Sequence, residues 1–444
     1  MSDLLSIGAS GVRAYQAAIG TTSDNIANAG SAGYTRRTTA MSEVSIATAA
    51  RTGSGAGVVV TGVTRMGDDA RAGAVRSASA DLAKTETSAT WLERIENALA
   101  DNGLSDQLTA FFNAAKSVAA DPSAIAPRAV MLESAASLAS AFNATGKALD
   151  AAATDLDASA EAAVTELNQL AEGLAKVNAG LSRAASGSAG QATLLDQRDQ
   201  LLEQMSAITD VTVTLDGFGR ATVQAGGSDG PMLVQGNDFG SVTYLRNDEG
   251  SVSLAVHNGA GTQTLVARGG TLAGTIEGAQ RIADAQAQLN AVAAAVVDGV
   301  NGVQAQGVGL DGTAGAPMFA AGDPPSQMTL ALTDPRGIAA ASPGGGTRDN
   351  SNLANLETLR SSTNAEGRIA DAITANATAL SARRTVADAQ TAIRDSAVSA
   401  RDSVSGVNLD EEAVDLIRFQ QAYQASSRVI QVARETLQSI LNIQ

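Results

Sequence analysis

Residues 409–440 read LDEEAVDLIRFQQAYQASSRVIQVARETLQSI, and their period decides the fold. Leu409, Leu416, Tyr423, Ile430 and Leu437 recur every seven residues, while Phe419, Ser426, Ala433 and Ile440 fill the second position of the same stripe. A seven-residue repeat on a slightly underwound helix keeps one stripe facing a partner helix. The opposite end of the chain carries a matching stripe: Leu5, Gly8, Val12, Tyr15, Ile19, Thr22 and Ile26 fall at alternating steps of three and four. Neither stripe can be buried by its own helix. Each therefore predicts packing on the other, or on a neighbouring subunit. Small residues in the seam (Gly8, Ser426, Ala433) allow close approach, and Gln420, Gln421 and Gln424 flank the C-terminal stripe. A chain that ends this way at both termini is built to assemble.

Composition narrows the class. At 444 residues the chain can hold two or three domains with real cores. Hydrophobic residues make up 44%, mostly Ala, Val and Leu, and aromatics only 3%. Alanine has the best helix propensity, so such cores suit helical bundles better than aromatic-walled ligand pockets. A net charge of −16 argues against nucleic acid, which needs a basic footprint, and against adsorption to an anionic membrane. There is no cysteine, hence no disulfide framework or thiolate chemistry. Met1 to Leu5 lack the basic and apolar regions of a cleavable signal, and the longest apolar run, 291–297, is too short to span a bilayer.

Along the chain, residues 4–28 read as a helix ended by the Ala29–Gly33 cluster, and 34–64 as extended, punctuated by Gly53, Gly55 and Gly57. From 68 to 208 the helical period dominates, with apolar faces at Trp91, Leu92, Ile95 and Leu99, then Leu104, Leu108, Phe111 and Phe112. Asp121-Pro122 marks a turn. At about 210 the period changes from 3.6 to 2, and short strands near 211–215, 231–235, 241–246, 251–257 and 262–267 predict a small antiparallel β domain. Helical period returns over 272–303. The Gly- and Pro-rich segment 307–350 reads mostly as loop, with a strand at 328–332, and helices follow over 365–404 and from 409 onward. The expected fold is mainly α, elongated and multidomain. The N- and C-terminal helices pair as a coiled coil (1–33 with 406–444), a long helical-bundle body follows (34–208 with 272–405), and a small β domain is inserted (209–271).

Catalytic readings fare badly. The single histidine, His257, falls on a strand with no Cys and no second His to build a zinc site or a relay. Asp410-Glu411-Glu412 reads as the acidic first turn of a helix capped by Asn408 rather than a metal cluster. Gly226-Gly227 and Gly344–Gly346 lack the context of a phosphate loop. Asp196, Asp199 and Glu203 share a helix with Arg198 and read as a solvated face with local ion pairs. No catalytic, cofactor or metal residue is expected.

Both ends resemble the axial proteins of the bacterial flagellum. The run from Asn25 through Asn28 and Gly33-Tyr34-Thr35 to Arg36 looks like that family's N-terminal signature, after the helix Ala9-Ser10-Gly11-Val12-Arg13-Ala14-Tyr15-Gln16. Ala32 stands where Pro is common and Gly30 where Asn is common. The runs 405–412 and Leu416-Ile417-Arg418-Phe419-Gln420-Gln421-Ala422-Tyr423-Gln424 are most similar to the hook-associated, FlgK-type family. Asp121-Pro122 with Arg128, and Leu194–Leu202, resemble the body of that family.

The resemblance implies a non-enzymatic junction subunit between hook and filament, leaving the cell by the flagellar type III route without a cleaved signal. It implies a ring of copies at the hook tip, whose paired terminal helices line the tube core. The implied partners are the hook protein, the second hook–filament junction protein and an export chaperone holding the C-terminal helix. Nucleic acid, membrane and cofactor are not expected. The assembly residues so indicated are Leu5, Gly8, Val12, Tyr15, Ile19, Asn25, Ile26, Asn28, Gly33, Tyr34, Leu409, Leu416, Phe419, Tyr423, Ile430, Leu437 and Ile440. The alternatives are another axial subunit, of hook or distal rod, and a wall-acting enzyme on an axial scaffold.

Overall fold

A computed structural model describes residues 2–44, 57–247 and 250–442. The N-terminal stripe lies on α1, Ser2–Asn28, which a turn at Ser31 and a left-handed Gly33 bring to an end. A hairpin follows, β1 (Arg37–Glu43) with β2 (Val58–Arg65), antiparallel with Arg37 opposite Arg65 and a bulge at Ala40/Met41. The expected loop glycines Gly53 and Gly55 lie outside the described residues.

The body is built on four helices before the β region. These are α2 (Asp69–Ala100), α3 (Leu104–Ala120), α4 (Ile125–Leu181) and α5 (Ala189–Ile208). Asp68 caps α2 by accepting from the amides of Ala70 and Arg71, and Ser188 caps α5 through Gln191 N. The 57 residues of α4 give a strut of about 85 Å. It is long enough to serve two cores. Its first half packs with α2, α3 and α6 (Gly270–Gln306) around Phe111, Phe142, Leu138 and Ile282. Its second half packs with α5 and the β region around Leu167, Leu174, Met205 and Val223.

The β region is antiparallel and built of short strands. It forms two sheets: β3 (Val211–Leu215), β4 (Ala221–Ala225), β5 (Met232–Gln235) and β6 (Asp238–Phe239) in that order, then β7 (Ser241–Arg246), β8 (Val252–Asn258) and β9 (Gly261–Leu265). The strand β4 was not expected. Its five residues follow a Gly-rich turn and alternate Ala and Val with polar residues too briefly to stand out. The sheets share their core with α4 and α5 rather than closing on one of their own. Two asparagines of α4 act as neighbours to strand backbone. Asn168 exchanges both hydrogen bonds with Val242, at 2.7 and 3.0 Å. Asn178 does the same with Ala221, at 2.8 and 2.9 Å.

After α6, residues 307–354 are irregular apart from two single 3-10 turns (Pro325–Gln327 and Pro335–Gly337) and the pair β10 (Phe319–Ala320) and β11 (Thr329–Leu330), shorter than the strand expected at 328–332. The segment is nevertheless core: Met318, Phe319, Met328 and Ile338 are buried. Its backbone is satisfied by side chains, as buried irregular chain must be. Arg128 donates to the carbonyls of Pro122 (2.8 Å) and Ile338 (2.6 Å), and Asn352 to those of Val303 and Ala339. The chain then returns through α7 (Asn355–Thr363) and α8 (Ala365–Ser405), which lies along α2, into α9 (Leu409–Leu441). Among the described residues no helix is long and apolar enough to cross a membrane.

Glu366 accepts from Thr109 Oγ1 at 2.8 Å and pairs with Arg360 at 2.6 Å, joining α3, α7 and α8. The Arg360 hydrogen bond, working against burial, holds the Glu366 carboxyl below the usual glutamate range. A carboxyl depressed in the folded state adds stability above its unfolded pKa and loses it as pH falls through the folded one. Glu366→Gln is expected to lower Tm at neutral pH and to flatten the fall in Tm below about pH 4.3. Thermal melts from neutral pH down to about pH 3 check this.

Candidate assembly interface

The two ends pair. α1 runs against α9, and the contact face of α1 is made of small and polar residues: Gly8, Gly11, Ala14, Ala18, Thr22 and Asn25 are buried. This face is rotated from the expected stripe. Val12, Tyr15, Ile19 and Ile26 lie half-buried at its side, as does Leu5 near the start of the helix. The reason is distance. A Cβ on Gly8 would lie 2.7 Å from Ile430 Cγ1, and one on Gly11 2.7 Å from Ser426 Oγ, so the helices are closest where α1 has least side chain. On α9, Leu416, Phe419, Tyr423 and Ile430 are half-buried and Ala433 is buried. The Tyr15 and Phe419 rings meet with centroids 6.5 Å apart. Leu409, Leu437 and Ile440 are not brought into this seam and remain 54%, 41% and 52% exposed.

At the base of the pair lies a polar node. Glu412 is buried, with 1% exposure. One carboxylate oxygen accepts from Arg36 Nε at 2.6 Å, the other from Asn25 Nδ2 at 3.0 Å. Asn25 uses every group it has. Its amide also donates to Arg37 O, and its oxygen accepts from Arg37 N and from the Tyr34 hydroxyl. Burial pushes the Tyr34 hydroxyl above its usual pKa, against the pull of Arg37 stacked 4.9 Å from its ring centre. Asn28 bonds back to Asp24 O and holds its own turn. Gly33, at φ +73°, sits against the Gln200 side chain of α5.

Glu412 was not among the expected site residues. The signal was present: 412 lies seven before Phe419 in the stripe, a charge in a seam position. Asn408 does cap α9, accepting from Asp410 N and Glu411 N, but the acidic run also grips Arg36, with Glu411 at 3.2 Å.

A second node corrects the expectation for Asp196, Asp199 and Arg198. They are not a solvated face. Asp196 and Arg198 are buried, and Asp196 accepts from Arg37 at 2.8 Å and Arg65 at 2.6 Å. Arg65 also reaches Asp199 at 2.5 Å. Burial would lower the Arg65 pKa, but Asp199 and Asp196 together hold it above the usual arginine value. These bonds seat the hairpin on α5, where Gly62 and Gly187 pass backbone to backbone and Val63 N donates to Gly187 O at 2.7 Å. His257 is a strand residue between the hydroxyls of Thr243 and Thr262. Among the described residues no cluster of three or more acidic or histidine side chains could hold a metal.

An elongated, mainly helical subunit with its chain ends paired, and apolar side chains left along the outer face of that pair, is the architecture of an axial assembly protein. The family described as flagellar hook-associated protein FlgK helical domain matches residues 92–319, and the family described as flagellar basal body rod FlgEFG protein C-terminal matches 399–443. The chain belongs to the FlgK family. Flagellar hook-associated protein 1 of Salmonella typhimurium is 29% identical over 335 residues, 73% of this chain and 60% of that protein. The chain thus spans about three fifths of that relative's length. The Bacillus subtilis protein of the same name is 26% identical over 488 residues, covering 97% of this chain and 96% of its own. The solved flagellar hook junction protein FlgK from Burkholderia pseudomallei has a like fold, with a TM-score of 0.67 at 17% identity over 75% of this chain and all of that one.

Gly8→Val is expected to drive α1 and α9 apart, since its side chain meets Ile430 and the Ser426 carbonyl. Trypsin should then cut faster at Arg13 and Arg428. Gly20→Ala meets no atom within 4 Å and should leave cleavage unchanged or slower, because Ala favours helix over Gly by about 1 kcal/mol.

Proposed function

We propose that this chain is a non-enzymatic structural subunit of the bacterial flagellum, joining hook to filament in a ring of its own copies. It assembles through α1 and α9. The observation that carries this reading is the unfilled face of α9: α1 covers one side, while Leu409, Val414 (65% exposed), Ile417, Val432 and Ile440 point outward along the helix. Exposed apolar side chains repeated along one helix mark an interaction site. A protein that stayed single would have no use for it.

The hook protein and the second junction protein are the expected neighbours at the two ends of the ring. An export chaperone would cover α9 until assembly. Export by the flagellar type III route, without a cleaved signal, belongs to the same reading. The rod-type match at 399–443 is compatible with a hook or distal-rod subunit, whereas the match over 92–319 favours the junction.

Deleting the gene in its host is expected to leave bare hooks and to shed flagellin into the medium. Loss of hooks as well would move the subunit down the axis, and normal filaments would remove the reading. Leu416→Asp or Ile430→Asp should abolish assembly, because each places a charge on the apolar side of α9 that faces α1, where it loses solvation without gaining a partner. Filaments still joined to hooks in these variants, seen by electron microscopy, would refute the role given to α9.

A further inference from the structure

We infer that the pairing of the chain ends and the seating of the β1–β2 hairpin on α5 are one coupled event, transmitted through the adjacent side chains of Arg36 and Arg37. Successive side chains of extended backbone point to opposite faces. Here that alternation joins two parts of the molecule. Arg36 faces α9, where Glu412 lies at 2.6 Å and Glu411 at 3.2 Å. Arg37 faces α5, where Asp196 lies at 2.8 Å. The backbone carrying both is clamped. Arg36 N donates to Ser405 O at 2.9 Å, and both the N–H and the carbonyl of Arg37 are bonded to the Asn25 side chain.

Asn25 closes the loop, because the same amide that holds Arg37 O also donates to Glu412. Lifting α9 removes the acceptor from Arg36 and one of the four bonds of Asn25, and so loosens the strand start on which Arg37 depends. Arg65, paired with Arg37 in register, adds a second arm to Asp196 and Asp199. The small-residue seam of α1 and α9 and the Val63 to Gly187 hydrogen bond also hold the parts together, but both sit outside the main cores. Neither large hydrophobic cluster includes a residue of α1, the hairpin or α9, and the buried Nε of Arg37 has no acceptor. The joint is polar, shared and incompletely satisfied, so it opens as a unit before either core does. A neighbour that grips the outer face of α9 thereby also fixes how the hairpin sits on the body. This holds whichever axial position the subunit occupies.

Coupling is reciprocal, so it can be read from both sides. Hydrogen exchange of the full chain, followed by mass spectrometry, is measured for Glu412→Gln, Asp196→Asn and the double variant. Glu412→Gln should speed exchange of the Val63 amide, across the joint, by about fivefold or more. Asp196→Asn should speed exchange over 412–419 by a similar factor. In the double variant the factors should not multiply, while α6 stays at the wild-type rate. Changes confined to the side of each substitution, or factors that multiply, would overturn the inference. If Asp196→Asn also speeds α6, Arg37→Gln replaces it as the body-side variant, under the same criteria.

Discussion

The carboxylate of Glu412 is buried, with 1% exposure, and the pairing of the chain ends is arranged around that fact. A buried carboxylate costs several kcal/mol unless it is paired and hydrogen-bonded. Glu412 meets the condition only when α9, α1 and the chain after α1 are all in place, because Asn25 comes from one and Arg36 from the other. The acid thus specifies register. Sliding α9 by one heptad along α1 would put Phe419 against Arg36 and leave the acid without partners. The close seam of Gly8 and Gly11 has little side chain with which to enforce register, and the polar node supplies it.

The same economy recurs in the body. With few aromatic residues and much alanine, the cores leave little bulk to pin irregular chain. Asparagine, glutamine and arginine side chains do so by bonding backbone. Asn168 and Asn178 hold the sheets to α4, Asn301 brackets Phe319, and Gln304 and Asn352 tie the segment around Ala339. Each offers a donor and an acceptor on one short arm, which lets a helix act as the neighbour of a strand or loop. Arg128 extends the device with a guanidinium given wholly to carbonyls, and loss of solvation lowers its pKa.

The helices were legible in the sequence because their period is long and their ends are marked. The expected 4–28, 272–303 and 365–404 correspond to Ser2–Asn28, Gly270–Gln306 and Ala365–Ser405. Four stretches were less so, each for a local reason. β4 is five residues of Ala, Thr, Val and Gln, too short to show a period. The α1 face that meets α9 shares Gly8 and Thr22 with the apolar stripe, but its other members, Gly11, Ala14, Ala18 and Asn25, are small or polar and add nothing to an apolar period. Asp199 does pair locally with Arg198, but the bonds of Asp196 and Asp199 to Arg65 link residues more than 130 apart in sequence, and no local pattern signals such a partner. Glu412 was hidden by its second role, for an acid in a first helical turn is already explained by the helix dipole.

The length of α4 has a mechanical consequence. One uninterrupted helix belongs to both cores, so neither can turn against the other without bending a rod of 57 residues. Torque applied at the chain ends therefore meets a stiff lever along the body. Below it the hairpin meets α5 through the polar joint where Asp196 holds Arg37 and Arg65.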